Sequence, residues 1–242
     1  WSPDGALLGH VGTGNRKDVR NAVEAARAAA GWSKTIGHLR AQILYYIAEN
    51  LSARAAEFAA RITAMTGAPA DVAGAEVTTA IDRLFTYAAW ADKFDGRAAD
   101  IPIRGMALAL REPVGMIGMI APDDTPLIGT ISLIAPALAM GNRVILVPST
   151  AYPLAATDLY QVLDTSDVPP GVVNIVTGPV QPLAETLAAH LDLDALWCFA
   201  GDTDRARLDH AAAGNLKRLW LNHGGNPDWH APDLDARPFL NA

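Results

Sequence analysis

Two neighbouring carboxylates between prolines, Pro122-Asp123-Asp124-Thr125-Pro126, are a first place where this chain could assemble acid/base chemistry. The flanking prolines favour a plainer reading, a turn in which one aspartate caps the helix that follows. A second polar cluster, Asn222-His223-Gly224-Gly225-Asn226, closes the apolar run Leu219-Trp220-Leu221, and its glycines are the usual mark of backbone brought close to something. His223 could serve as a base, but no nucleophile accompanies it. His223, Asp228 and His230 do not keep metal-ligand spacing in their Pro/Gly-rich loop, so no metal site is expected. Ser149 belongs to no GxSxG elbow, which removes the triads that could be drawn on paper. Cys198, the only cysteine, lies inside the apolar run 195–199, where a thiol stays neutral and inert.

These residues fall at equivalent points of a repeated rhythm. From residue 114 onward, short apolar runs at 114–121, 143–147, 172–176, 195–199 and 216–221 alternate with helical segments near 126–140, 153–163, 181–190 and 202–213. Strands separated by helices of ten or more residues describe right-handed βαβ crossovers, hence a doubly wound parallel sheet whose ligands sit at the carboxyl ends of the strands. Those ends read 122–126, 148–150, 177–179, 200–202 and 222–226, and no GxGxxG follows any of them.

The first hundred residues are helical in character. Val19, Val23, Ala26 and Ala30 recur at spacings of three and four, and the runs 39–66 and 71–94 keep the same period, with Gly67 and Gly96 where helices should end. This half predicts a helical layer, and Trp32, Trp90, Trp197, Trp220 and Trp229 read as core or interface anchors. The segment 101–113, with prolines at both ends, predicts an edge strand or hairpin arm.

Half of the 242 residues are hydrophobic, enough for a sizeable core, and one cysteine leaves neither an internal disulfide nor a thiolate-cage metal site. A net charge of −7 offers no footprint for nucleic acid or an anionic membrane. The most apolar region, 114–141, is broken by prolines and aspartates and cannot supply a bilayer span. A cytoplasmic location is the expectation. The abrupt start at Trp1 and end at Ala242 lead us to expect a piece of something longer.

In order, EPVGMIGMIAPDDTPL, APALAMGNRVILVPST, VPPGVVNIVTG, FAGD and NLKRLWLNHGGN resemble the aldehyde dehydrogenase superfamily, and GNRKDVRNAVEAARAA resembles its amino-terminal segment. The resemblance implies a Rossmann-like domain with an N-terminal helical layer and a projecting two-stranded flap. It divides the chain into 1–100 (helical segment), 101–113 (first flap arm), 114–226 (dinucleotide-binding domain) and 227–242, where ARPFLNA would begin the returning arm. The family's catalytic domain, with its reactive cysteine, is expected to be absent.

The strand-end positions depart from the family. Asp124 stands where members have an asparagine that donates to the developing oxyanion, and an ionised carboxylate only accepts. Val147 and Thr150 replace the lysine and glutamate that hold the adenosine ribose. Asp202 replaces a serine at the helix that faces the cofactor pyrophosphate, putting the protein's own charge on an anion site. Asn222 replaces the glutamate general base, and asparagine has no basic form near neutral pH.

What the resemblance then implies is a degenerate module, most like the non-catalytic carboxy-terminal domain of the family 16 aldehyde dehydrogenases. Its role would be structural, its partners an upstream aldehyde dehydrogenase domain of its own chain and a second copy in a dimer. No cofactor is expected for the module, and NAD for the parent enzyme. The competing readings are the NAD-binding portion of an active NAD-dependent aldehyde dehydrogenase, and a binding module for another, perhaps cationic, ligand. If the degenerate cleft has collapsed, Trp220 and His223 are expected to plug it.

Overall fold

The computed structural model describes every residue except Asp95, Ile101, Ile103, Arg104, Asp202, Gly224 and Ala242. The first half builds α1 (Arg16–Ala28), α2 (Gly37–Ala53), α3 (Ala55–Thr66) and α4 (Ala70–Trp90). Asn15 and Asp18 close a capping box at the start of α1, and Val19, Ala22, Val23 and Ala26 form its buried stripe. Ala30 lies outside that stripe, because the chain tightens into a 3₁₀ turn at Ala30–Lys34. The run 39–66 is two helices. It breaks at Arg54, whose guanidinium binds Glu57 at 2.6 and 2.9 Å and reaches Gln161 at 3.2 Å, with no glycine or proline to announce the break. Gly67 ends α3 in the left-handed region as expected. Gly96 does not end a helix. A Cβ there would meet the Ala109 carbonyl oxygen at 2.1 Å, so its bare backbone permits the close approach of the hairpin that follows.

That hairpin is β1 (Arg97–Asp100) against β2 (Met106–Ala109), antiparallel with Arg97 opposite Ala109 and Asp100 opposite Met106. Both of its arms therefore lie within 97–109, and the first is upstream of 101–113. ARPFLNA is not a returning arm: it forms α9 (Arg237–Asn241) with Phe239 and Leu240 buried. Pro238 suits the first turn of a helix, and the Asp235 carboxylate accepts the Arg237 N–H at 3.0 Å.

The sheet strands are β3 (Met116–Ile120), β4 (Arg143–Val147), β5 (Val173–Ile175), β6 (Ala195–Cys198) and β7 (Arg218–Leu221), all parallel in the order β5-β4-β3-β6-β7. The crossover helices are α5 (Ile128–Ala139), α6 (Leu154–Asp164), α7 (Val180–Ala189) and α8 (Arg205–Ala212). This is the expected doubly wound α/β architecture. β3 and β4 are buried along their whole length, which is why they read as continuous apolar runs. α5 covers one face with α2 and α4 behind it, and α1 and α7 cover the other, α8 packing against α7. No helix among the described residues is long and apolar enough to cross a membrane.

The segment after β7 closes the first face. Trp229 and Phe239 pack on Phe199 and Trp220, with ring centroids 5.1 Å apart for Phe199–Trp220, 5.3 Å for Phe199–Trp229 and 5.0 Å for Trp220–Phe239. Arg83 of α4 holds the incoming backbone, its guanidinium donating to the Trp229 and Ala231 carbonyls at 3.2 and 2.8 Å. Cutting Phe239→Ala should open a cavity in this cluster and cost about 3 kcal/mol, read as a lower urea midpoint at an unchanged m-value.

Candidate functional site

In a doubly wound sheet the ligand crevice opens where successive crossovers depart in opposite directions. Here the chain leaves β3 toward β4 on one side and returns to β6 on the other, so the crevice lies outside Ala121 and Phe199. At its floor the Ala121 N–H donates to the Val147 carbonyl at 3.0 Å and the Phe199 N–H to the Ile120 carbonyl at 2.9 Å.

The side chains around the crevice bond within the chain, mostly to backbone groups. Ser149 is buried, donates its hydroxyl to Asp123 at 3.0 Å and accepts the Tyr152 N–H at 3.1 Å, which ties the end of β3 to the end of β4. Thr150 donates to the Gly178 carbonyl at 3.1 Å, tying β4 to β5. Gln181, in the first turn of α7, accepts the Asp204 N–H at 2.9 Å and so bridges to α8. Arg205 folds back with its guanidinium on the Ala200 carbonyl at 3.0 Å. Asn222 donates its amide to the Gly225 carbonyl at 2.7 Å and to the Asn226 side chain at 3.0 Å, across a turn in which Gly225 has φ 86°. Val147 is fully buried and presents no polar side-chain atom.

Several expected positions behave otherwise. Asp124 is exposed and, among the described residues, bonds the Thr125 hydroxyl alone, at 3.4 Å, and neither aspartate caps α5. The acidic cap of α8 is Asp204, which accepts the Arg207 N–H at 3.1 Å, and Asp202 lies outside the described residues. Helix α8 starts at Arg205, so the capping position falls two residues later than the FAGD motif indicates. The plug is not formed by Trp220 and His223. Trp220 faces Trp197, Phe199 and Phe239 under α9, and His223 is exposed to solvent. Side chains of a strand alternate between the sheet faces, which turns Trp220 onto a face and away from the strand end. Asp228 bonds its own loop through the His230 N–H at 3.0 Å, and among the described residues no three His, Cys, Asp or Glu groups are placed to hold a metal. Burial pushes the Cys198 thiol up, with a contact to the Thr203 hydroxyl at 3.2 Å partly opposing. That thiol is a core group.

The residue missing from the sequence reading is Glu76. It sits on the buried stripe of α4 beside Ala73, Val77 and Ala80, and its carboxylate accepts the N–H groups of Leu127 and Ile128 at 2.9 and 3.2 Å. Glu76 thus satisfies the amino terminus of α5. The signal was available, since an acidic residue at the three-and-four spacing of a buried stripe requires an internal donor.

This is the architecture of a dinucleotide-binding-type α/β module in which several strand-end side chains bond within the chain. A profile of the Aldehyde dehydrogenase family matches residues 2–231, and the chain belongs to that family. It is 33% identical to betaine aldehyde dehydrogenase of Bacillus subtilis over 230 residues, covering 93% of this chain and 47% of that protein. With mitochondrial aldehyde dehydrogenase of Sus scrofa it shares 35% over 239 residues, 96% of this chain and 46% of the relative. The chain therefore spans about half the length of these relatives. Among solved structures, PnpE of Pseudomonas sp. WBC-3 superposes with a TM-score of 0.86 at 29% identity, over 91% of this chain and 46% of that one. A second structure of PnpE holds nicotinamide adenine dinucleotide.

Burial raises the Glu76 carboxyl above its ordinary 4.5, partly opposed by its two amide bonds and His230. Between 4.5 and the raised value the native state holds more protons than the unfolded chain, so this group's contribution to stability is lost as pH rises across that window. Glu76→Gln keeps an acceptor without titrating, and its stability relative to the wild type should improve as pH rises from 4.5. Glu76→Ala leaves two buried N–H groups unpaired and should lose about 2 kcal/mol or more. Urea unfolding between pH 4 and 8 checks both, and a Gln variant that follows the wild-type slope would remove Glu76 as its source.

Proposed function

We propose that this chain is a non-catalytic aldehyde dehydrogenase module, of the kind the family 16 enzymes carry at their carboxyl terminus. It serves assembly within a larger, cytoplasmic, NAD-dependent aldehyde dehydrogenase. The observation that carries this reading is the state of Asn222. It occupies the position where the family's resemblance calls for a general base, it cannot take a proton from water near neutral pH, and its amide is committed to Gly225 and Asn226. Asp124 adds an acceptor where a developing oxyanion needs a donor.

The crevice also fits a dinucleotide poorly. Val147 offers nothing to a ribose, the Thr150 hydroxyl is spent on Gly178, Gln181 bridges the space between α7 and α8, and Asp204 sets a carboxylate at the helix terminus suited to a pyrophosphate. What supports an assembly role is the hairpin. Met106, Leu108 and Leu110 follow one another at every second residue and are 71%, 62% and 76% exposed. Apolar residues this bare on a projecting ribbon call for a partner, which we assign to the upstream domain of the same chain and a second copy in a homodimer.

The second reading, an NAD-binding portion of an active aldehyde dehydrogenase, draws on the five-stranded framework shared with relatives such as PnpE. Calorimetric titration with NAD separates the two. The module should give no binding heat at millimolar NAD, and a micromolar Kd would sink the non-catalytic reading. For assembly, Leu108→Asp should shift the sedimentation profile toward monomer with little change in the melting temperature, since Leu108 is 62% exposed and belongs to neither buried cluster.

A further inference from the structure

β5 is an edge strand and pairs with β4 alone. The Val172 carbonyl accepts the Val144 N–H at 2.8 Å and the Val176 N–H donates to the Leu146 carbonyl at 2.9 Å, so the peptides that face β4 are those of residues 172, 174 and 176. The peptide groups of Val173 and Ile175 point the other way. Among the described residues, neither their N–H nor their carbonyl groups meet a hydrogen-bond partner.

These groups form the floor of a groove of about 890 Å³, with Asn21 and Ala25 of α1 on one wall and Thr157 and Tyr160 of α6 on the other. The chain already begins to add an extended segment to this edge. Gly14 donates its N–H to the Thr177 carbonyl at 2.6 Å, and the Thr177 hydroxyl donates to the Gly12 carbonyl at 2.7 Å. That segment turns into α1 at Arg16 and leaves the edge at Ile175 and Val173 unpaired. Asp18 and Asp164 are the charged residues of the groove, and no lysine or arginine lines it.

We propose that this groove takes an extended polypeptide segment as a sixth strand, through main-chain hydrogen bonds to Val173 and Ile175, and selects segments that carry lysine or arginine among apolar residues. Backbone pairing supplies the affinity and the two aspartates the selection. The proposal is independent of whether the strand-end crevice binds a dinucleotide.

The probe is an acetylated peptide Lys-Val-Thr-Val-Lys-Val-Thr, labelled for fluorescence anisotropy, beside a twin with glutamate for lysine. The lysine peptide should bind the purified protein about tenfold tighter, the worth of two exposed ion pairs. At saturation it should slow hydrogen exchange of the Val173 and Ile175 amides. Ile175→Pro removes one outward donor while leaving the β4 ladder intact, so it should abolish binding, whereas Ile175→Ala, which loses the same core packing but keeps the donor, should retain it. Asp164→Lys should erase the preference for the lysine peptide. Equal binding of the two peptides, or unchanged exchange at Val173 and Ile175, would overturn the proposal. So would self-association of the protein that Ile175→Pro abolishes, which would assign the edge to a second copy. Should the proline variant unfold, the exchange measurement on the wild type decides alone.

Discussion

A helix buried on every side has to find acceptors for its first amides inside the protein, and α5 is such a helix: every residue from Ile128 to Ala139 is buried. Water cannot reach its amino terminus, so Glu76 supplies the acceptor from α4, and the rest of the fold is arranged around that bond. An unmet N–H in such a place costs about 1–3 kcal/mol, and a charged acceptor is the strongest remedy. The remedy has its own cost, since the carboxylate must leave water, and the raised Glu76 pKa records it. Seven residues on, two turns along the same face of α4, Arg83 does the converse. Its buried guanidinium meets the Ser132 hydroxyl of α5 and two carbonyls of the segment that follows β7. One helix thus carries a buried anion that fixes α5 and a buried cation that fixes the carboxyl-terminal segment. Those two attachments set the face on which the aromatic cluster of Phe199, Trp220, Trp229 and Phe239 packs.

The parallel sheet was legible in the sequence because strands buried on both faces read as near-continuous apolar runs, as residues 144–147 and Met116–Ile120 do. What escaped has a common cause in side chains that act at a distance. The break between α2 and α3 falls at Arg54, which meets Glu57 three residues on and Gln161 across the fold, and no glycine or proline marks it. The family resemblance assigns ARPFLNA to a returning flap arm, yet a helical turn over 237–241 is what brings Phe239 and Leu240 onto the core. The hairpin was misplaced because Ala98 and Ala99 continue the alanine-rich texture of the helices before them, and only pairing with Leu108 and Ala107 makes them strand. At the candidate site, composition located Ser149, Thr150 and Asn222 at the strand ends. It could not say that Ser149 would bond Asp123, or that the cap of α8 would be Asp204.

The strand ends of a doubly wound sheet concentrate polar groups whose partner is ordinarily the ligand. A chain that gives up the ligand inherits the same geometry and has to satisfy those groups from within, because each one left buried and unpaired lowers stability by an amount comparable to a sizeable share of the total. On the proposed reading, polar groups at this chain's strand ends bond within the chain. Thr150 reaches a carbonyl of the next strand end, Gln181 reaches an amide of the next helix, and Asn222 turns into its own loop. Val147 removes the requirement by having no polar side-chain atom to satisfy. On the proposed reading these are the bonds a framework forms when it is kept for its surfaces. On that reading dinucleotide binding is costly, since a cofactor would have to displace bonds between protein groups. Restoring a lysine at 147 alone would place an ammonium at a position with no exposure, where desolvation acts before any ribose arrives. On the proposed reading, recovery of the site would also require the Thr150, Gln181 and Asp204 contacts to be released.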